Sequence, residues 1–210
     1  MKHRRLPLVL ILALCAAALQ GCVEMAAVGV GAAALTVVDR RTTGALVEDE
    51  GIELRAANRI GERFGDKAHI NVTSFNRSVL LTGEAPDERA RAEIEKIAHA
   101  VPNLRSVTND IQVAGVSTLG ARTNDSFITS KVKARFLDAG RFNPLHVKVV
   151  TEAGVVYLMG IVTEKEAADA VDVARTTAGV RKVVRIFEYC KPTDDACRPR
   201  AKPAAAKSAS

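Results

Sequence analysis

The side chains able to do chemistry are few and stand apart. Past residue 22 the histidines are His69, His99 and His146. No Cys or carboxylate cluster stands around them at ligand spacing, so no metal is expected. Carboxylates are scattered among Lys and Arg, as in Asp87-Glu88-Arg89, the pattern of a solvated helix face and not of an acid/base pair. Gly29 and Gly31 lack the strand and helix that a phosphate-cradling loop needs. Ser126 and Thr129 have no neighbouring His. Neither an enzyme nor a cofactor is expected. Cys190 and Cys197 flank Pro192 and can close a small disulfide loop in an oxidising compartment, or remain two thiols in a frayed tail.

A further cysteine points to covalent lipid. Lys2, Arg4 and Arg5 precede an apolar run from Leu6 to Leu19, interrupted only by Pro7. Its 14 residues are too few to cross a hydrocarbon core of about 30 Å, yet they suit a secretory signal. Leu19-Gln20-Gly21-Cys22 follows, and it resembles the bacterial lipobox. The resemblance implies cleavage before Cys22 and acylation of its thiol, with residues 1–21 as signal peptide. The alternative is an ordinary signal peptide with a chance Cys. Several acyl chains, at about 0.8 kcal/mol per buried CH₂, anchor a protein almost permanently. Val23, where bacterial lipoproteins retained at the inner membrane resemble one another in having Asp, points to the outer membrane.

Composition fits a small folded body between charged ends. The chain has 210 residues, 48% hydrophobic and 26% charged, with no Trp. The formal charge is +6, of which residues 1–21 supply +3 and residues 191–210 another +3 (five bases against Asp194 and Asp195). Residues 22–190 are therefore neutral, which argues against a nucleic-acid-binding body. Residues 22–48 read as an acylated, flexible tether rich in Ala, Gly and Val. Residues 191–210 read as a disordered basic Pro/Ala/Lys tail, from which the Cys pair is expected to affect folding little.

Between them the chain repeats itself. Ile70-Asn71-Val72 aligns with Val147-Lys148-Val149, and Val79 to Gly83 with Val156 to Gly160, at an offset of 77. Leu104 to Val107 aligns with Val180 to Val183 at 76. Each copy opens with a helix face, Ile52, Ala56, Ile60, Phe64 and then Ile128, Val132, Phe136. A hairpin follows, turning at Asn76-Arg77 or Glu152-Ala153-Gly154. Pro86-Asp87 and a capping box, Thr163 to Glu166, open the second helices. Leu104, Val107, Ile111 and Val113 mark the last strand of copy one, and Val183 to Tyr189 that of copy two. The fold class is α+β: two tandem small αββαβ domains, 49–115 and 124–190, joined by a linker at 116–123. Each is a three-stranded mixed sheet with two helices on one face. Domains of about 65 residues are marginal alone, so docking of the two is expected to help both.

The repeats resemble the BON domain of bacterial periplasmic and outer-membrane proteins. Carrying residues are Val79–Gly83, Val156–Gly160 and Gly179 to Val183; the most specific stretches are Asn124 to Val132 and Val155 to Glu164. With the lipobox, residues 1–190 resemble a dual-BON outer-membrane lipoprotein, lipid-anchored on the periplasmic face. That resemblance implies binding to anionic phospholipid, chiefly phosphatidylglycerol, through the first helix of the second domain, in support of outer-membrane integrity.

A helical wheel of 126–139 points to the same surface independently. With Ile128, Val132 and Phe136 inward, Phe127, Ala134 and Leu137 fall on the far side, with Ser130 and Lys131 among them. Apolar atoms can enter the acyl boundary while an ammonium meets phosphate. Lys133 and Arg135 add charge at the flanks, and copy one has Gly51 in place of Phe127. The alternative is that Phe127 packs against the other domain. A second functional class stays open: a periplasmic adaptor holding an envelope protein partner.

Overall fold

The computed structural model describes residues 39–198. The signal, Cys22 and residues 22–38 lie outside the described residues, as does the tail beyond Arg198.

The first repeat contains α1 (Thr43–Phe64), a 3-10 turn (Gly65–Lys67), β1 (His69–Phe75), β2 (Ser78–Ala85), α2 (Glu88–His99), β3 (Ser106–Asn109) and β4 (Gln112–Val113). The second contains α3 (Leu119–Ala139), a 3-10 turn (Pro144–His146), β5 (Val147–Glu152), β6 (Val155–Val162), α4 (Glu164–Arg175) and β7 (Lys182–Tyr189). In each sheet the hairpin is antiparallel and the strand after the crossover helix runs parallel to the central one. The fold is α+β, built of two tandem repeats with mixed sheets.

Local chemistry explains the hairpins. Asn76 and Arg77 (φ 50° and 66°), and Ala153 and Gly154 (φ 48° and 73°), all take positive φ, as a two-residue type I′ turn requires. Gly83 and Gly160 stand near the ends of the central strands, where a Cβ would strike the carbonyl oxygen of His69, at the start of β1, or of His146, in the turn that leads into β5. Helix and sheet then share one core per repeat, Ile52, Ile60, Leu81 and Ile94 in the first and Ile128, Phe136, Leu158 and Val173 in the second.

Three features differ from the expectation. Helices α1 and α3 begin at Thr43 and Leu119, in stretches read as tether and linker. Thr42 and Thr118 cap them, their hydroxyls accepting from the N–H of Ala45 and Ala121. Those first turns are mostly exposed and carry no apolar period. The last strand of the first repeat is broken into β3 and β4: at the break the Ile111 N–H donates to the Asn109 side chain at 3.1 Å, and the Asp110 carboxylate accepts from the Tyr157 hydroxyl at 2.6 Å. Residues 191–198, assigned to a disordered tail, form ordered turns. A Cys190–Cys197 disulfide closes them, and Asp194 accepts from the N–H of Lys191.

The sheet faces free of helices pack on each other. Phe75 and Leu80 of the first repeat meet Tyr157, Met159 and Ile161 of the second. Cys197, only 4% exposed, belongs to the same cluster. Buried Glu152 accepts from Asn71 at 2.8 Å and Thr82 at 3.3 Å. Burial, and then the bond to Asp110, push the Tyr157 phenol above its ordinary pKa.

Two adjacent arginines tie the chain entering α1 to both repeats. Arg41 pairs with Asp49 at 2.9 Å and lies 4.3 Å over the Phe75 ring. Arg40 reaches the second repeat, donating to Ile161 O at 2.9 Å and, as a fork, to both Glu166 oxygens at 2.6 and 2.9 Å. Glu166 also completes the capping box with Thr163. Burial opposes its ionisation, but the Arg40 fork and the Thr163 donors outweigh it and hold the carboxyl at about 2.

A lowered folded-state pKa stabilises the fold above the ordinary carboxylate value and loses that contribution as pH falls through the folded value. Glu166 is thus expected to supply about 2–3 kcal/mol above pH ~4.5, fading toward pH ~2. Urea midpoints of the chain measured from pH 6 down to pH 2.5 check this: Arg40→Ala should lower the midpoint at pH 6 and flatten its fall with acid.

Candidate functional site

The roll of α3 about its axis decides what it shows to solvent. Asp125 is buried, and its carboxylate accepts from the backbone N–H of Ala153 at 2.9 Å and Gly154 at 2.8 Å. Asp49, its counterpart at offset 76, holds the first hairpin likewise, accepting from Asn76 N at 2.8 Å, Arg77 N at 2.7 Å and the Ser74 hydroxyl at 2.6 Å. Sequence reasoning missed this pair, since an acid on a helix reads as solvated. The available signal was an Asp at the same position in both copies, three residues before the first inward Ile.

With Asp125, Ile128, Val132 and Phe136 inward, the other side of α3 faces outward. Phe127 is 62% exposed and Leu137 68%, so Phe127 does not serve as packing against the first repeat. Between them Ser130 and Ala134 are exposed, with the Ser130 hydroxyl donating to its own helix at Ser126 O, 3.0 Å away. The Lys131 ammonium lies 4.7 Å from the Phe127 ring centre, a cation–π distance, and donates to Ala178 O at 2.6 Å. Lys133 is exposed on the flank toward the first repeat. Asp138 stands a turn beyond Ala134 on the outward side.

Arg135 is placed differently from its expected role as flanking charge. Its guanidinium turns to the C-terminal end of α4, donating to Val173 O at 3.2 Å, Thr176 Oγ1 at 3.1 Å and Thr177 Oγ1 at 3.0 Å. It holds two helices together. Cys22 lies outside the described residues. Cys190 and Cys197 sit at the interdomain cluster, away from this face.

Helix α1 is the internal control. Gly51 replaces Phe127, and Arg55, opposite Lys131, is neutralised by Glu48 at 2.6 Å. The second copy has Asn124 in place of that acid. Val47 and Leu54 are exposed on α1, but five acids against three bases give that helix a net −2, whereas α3 has four bases against two acids, a net +2. Among the described residues no group of three His, Cys, Asp or Glu could hold a metal, and no helix is long and apolar enough to cross a membrane.

Residues 49–115 and 124–190 each match the BON domain. The chain belongs to the BON-domain family. It is 34% identical over 173 residues to the outer membrane lipoprotein DolP of Haemophilus influenzae, covering 81% of this chain and 90% of that one. It is 33% identical over 154 residues to the 21 kDa hemolysin of Actinobacillus pleuropneumoniae, covering 72% and 79%. The osmotically-inducible protein Y of Escherichia coli is 31% identical over 117 residues, 54% of this chain and 58% of that one. Its arrangement is thus dual-BON and DolP-like.

The placement of Arg135 has a measurable consequence. Arg135→Ala leaves hydrogen-bonding groups at the end of α4 without their donor and should cost about 1–3 kcal/mol of stability. Lys133→Ala and Ser130→Ala, at exposed positions, should stay within about 0.5 kcal/mol of the parent. Urea unfolding of the three variants checks the contrast.

Proposed function

We propose that this chain is a non-enzymatic outer-membrane lipoprotein, held on the periplasmic face by acyl chains on Cys22. Its second BON domain binds anionic phospholipid, phosphatidylglycerol above all, through the outward face of α3, and so supports the integrity of the membrane. One observation carries the reading: Phe127 and Leu137 stand exposed on one helix, with the Lys131 ammonium over the Phe127 ring. An apolar wedge with a cation at its root is the makeup of an interfacial helix. The cation meets headgroup phosphate while the ring and the Leu side chain enter the acyl boundary. The DolP relative, an outer membrane lipoprotein by name, supports the location.

Replacing Cys22 by Ser should release the protein from outer-membrane vesicles; a variant that still floats with them after a high-salt wash overturns the anchor. That unacylated chain then isolates the helix. Burying a Phe side chain contributes about 1.5–3 kcal/mol and each basic residue near an anionic surface about 1 kcal/mol. Phe127→Glu loses the first and adds repulsion, so binding to phosphatidylglycerol vesicles should fall at least about tenfold, the equivalent of 1.4 kcal/mol. Lys131→Ala should lose less, and its effect should shrink as salt rises. Vesicle sedimentation measures both, with circular dichroism confirming that each variant is folded. A folded Phe127→Glu chain that binds as well as its parent transfers the function to a protein-interaction role.

A further inference from the structure

A groove opens beside α3, where Lys133, Phe136 and Leu137 line it, the last of them about 80° round the helix from Phe127. Phe75 and Phe136 form its floor, and Leu137 and Leu145 its lips. Its volume is about 390 Å³, inside the roughly 300–1,000 Å³ of small-molecule sites. Leu145 is 54% exposed in addition to Leu137, an unusual outlay of large apolar side chains at one opening. Among the residues lining the groove are three cations and no carboxylate. Of these Arg41 is paired with Asp49 and Lys148 with Glu53. Lys133 is exposed and has no hydrogen-bond or ion-pair partner among the described residues.

The other copy shows that this lining is not imposed by the fold. A groove stands at the corresponding place in the first repeat, beside Ala57, Gly61 and Ala68. At the matching offsets of 76 and 77 the second repeat has Lys133, Leu137 and Leu145. Three small residues in one copy are a cation and two exposed leucines in the other. Neither leucine gains burial from its size, so folding alone does not account for them.

We infer that this groove seats one acyl chain of an anionic phospholipid, drawn from the bilayer, with its headgroup phosphate at Lys133. The floor and lips match a hydrocarbon chain, and the charge at the rim matches a phosphate. The inference rests on the membrane reading of α3 and deepens it, since it adds a single-lipid site beside the wedge of Phe127.

The test separates the two. Dihexanoyl phosphatidylglycerol, kept below its micelle concentration, is titrated into the unacylated Cys22→Ser chain with its methyl groups isotopically labelled. Saturable shifts should appear at Leu137, Leu145 and Val147. Leu145→Asp and Lys133→Glu should each weaken the response at least about tenfold. Phe127→Glu should leave it within about twofold while losing vesicle binding. Dihexanoyl phosphatidylcholine should bind more weakly, and equal binding overturns the role of Lys133. Absent shifts, or shifts unaffected by Leu145→Asp, overturn the groove when the parent chain still sediments with vesicles, and leave it to a protein partner or a second copy. Failure of the parent chain itself to sediment overturns the membrane reading as well.

Discussion

Each repeat turns on one buried carboxylate. Asp49 and Asp125 sit on the inward face of the leading helix and take backbone N–H groups of the hairpin turn. A buried ion is tolerated only when its acceptor sites are filled, and here the unpaired donors of a type I′ turn fill them. The bond fixes helix and hairpin in one relative orientation. Everything outward on the helix follows from that. With Asp125 locked to the turn, Phe127, two positions on, has to face away from the sheet, whatever its own preference for burial.

The sheets carry the second constraint. A BON repeat of this size has helices on one face only and leaves the other open. The open faces are closed against each other by Phe75, Leu80, Tyr157 and Met159. The polar groups caught between them are matched: Glu152 by Asn71 and Thr82, Asp110 by Tyr157. Pairing matters more here than in a surface contact, because a lone buried acceptor costs more than a made bond returns. Arg40 and Arg41 add a clip at the chain's entry, one reaching each repeat. The disulfide loop adds Cys197 to the same cluster. Cys197 is thus packed in the cluster between the two sheets and not in a frayed tail beyond the last strand.

Much of this was legible in the residues. The offset of 76 to 77, the paired turn signals and the Thr163–Glu166 box are local patterns, and local chemistry decides them. The outward set on α3 was legible because the inward set is unambiguous. What was not legible is long-range. Nothing beside Arg40 in sequence announces Glu166, and nothing beside Arg135 announces the carbonyl at Val173. Both arginines read as solvated charge until tertiary packing supplies an acceptor. The starts of α1 and α3 escaped for another reason: exposed first turns have no apolar period, so only the capping Thr marks them. The bond from Tyr157 to Asp110 spans 47 positions and has no local signal either.

Duplication lets the two leading helices be compared at equal fold. Their inward positions agree in kind, acid then apolar, because the same hairpin and sheet must be met. Their outward positions do not. Acids at Glu48 and Glu50 become Asn124 and Ser126, and small residues at Gly51 and Gly61 become Phe127 and Leu137. Each change removes negative charge or adds apolar surface. Neither is needed for stability, since Phe127 and Leu137 remain exposed, and exposed apolar area in a monomer carries an aggregation liability. Val47 and Leu54 expose apolar area on α1 too, where α3 has Thr123 and Ser130, but that helix carries a net −2, whereas on α3 the exposed Phe127 and Leu137 stand on a net +2, a combination the fold itself does not demand. A surface that is anionic and apolar by depth matches both kinds of change at once, whereas a purely polar partner matches only the loss of acids.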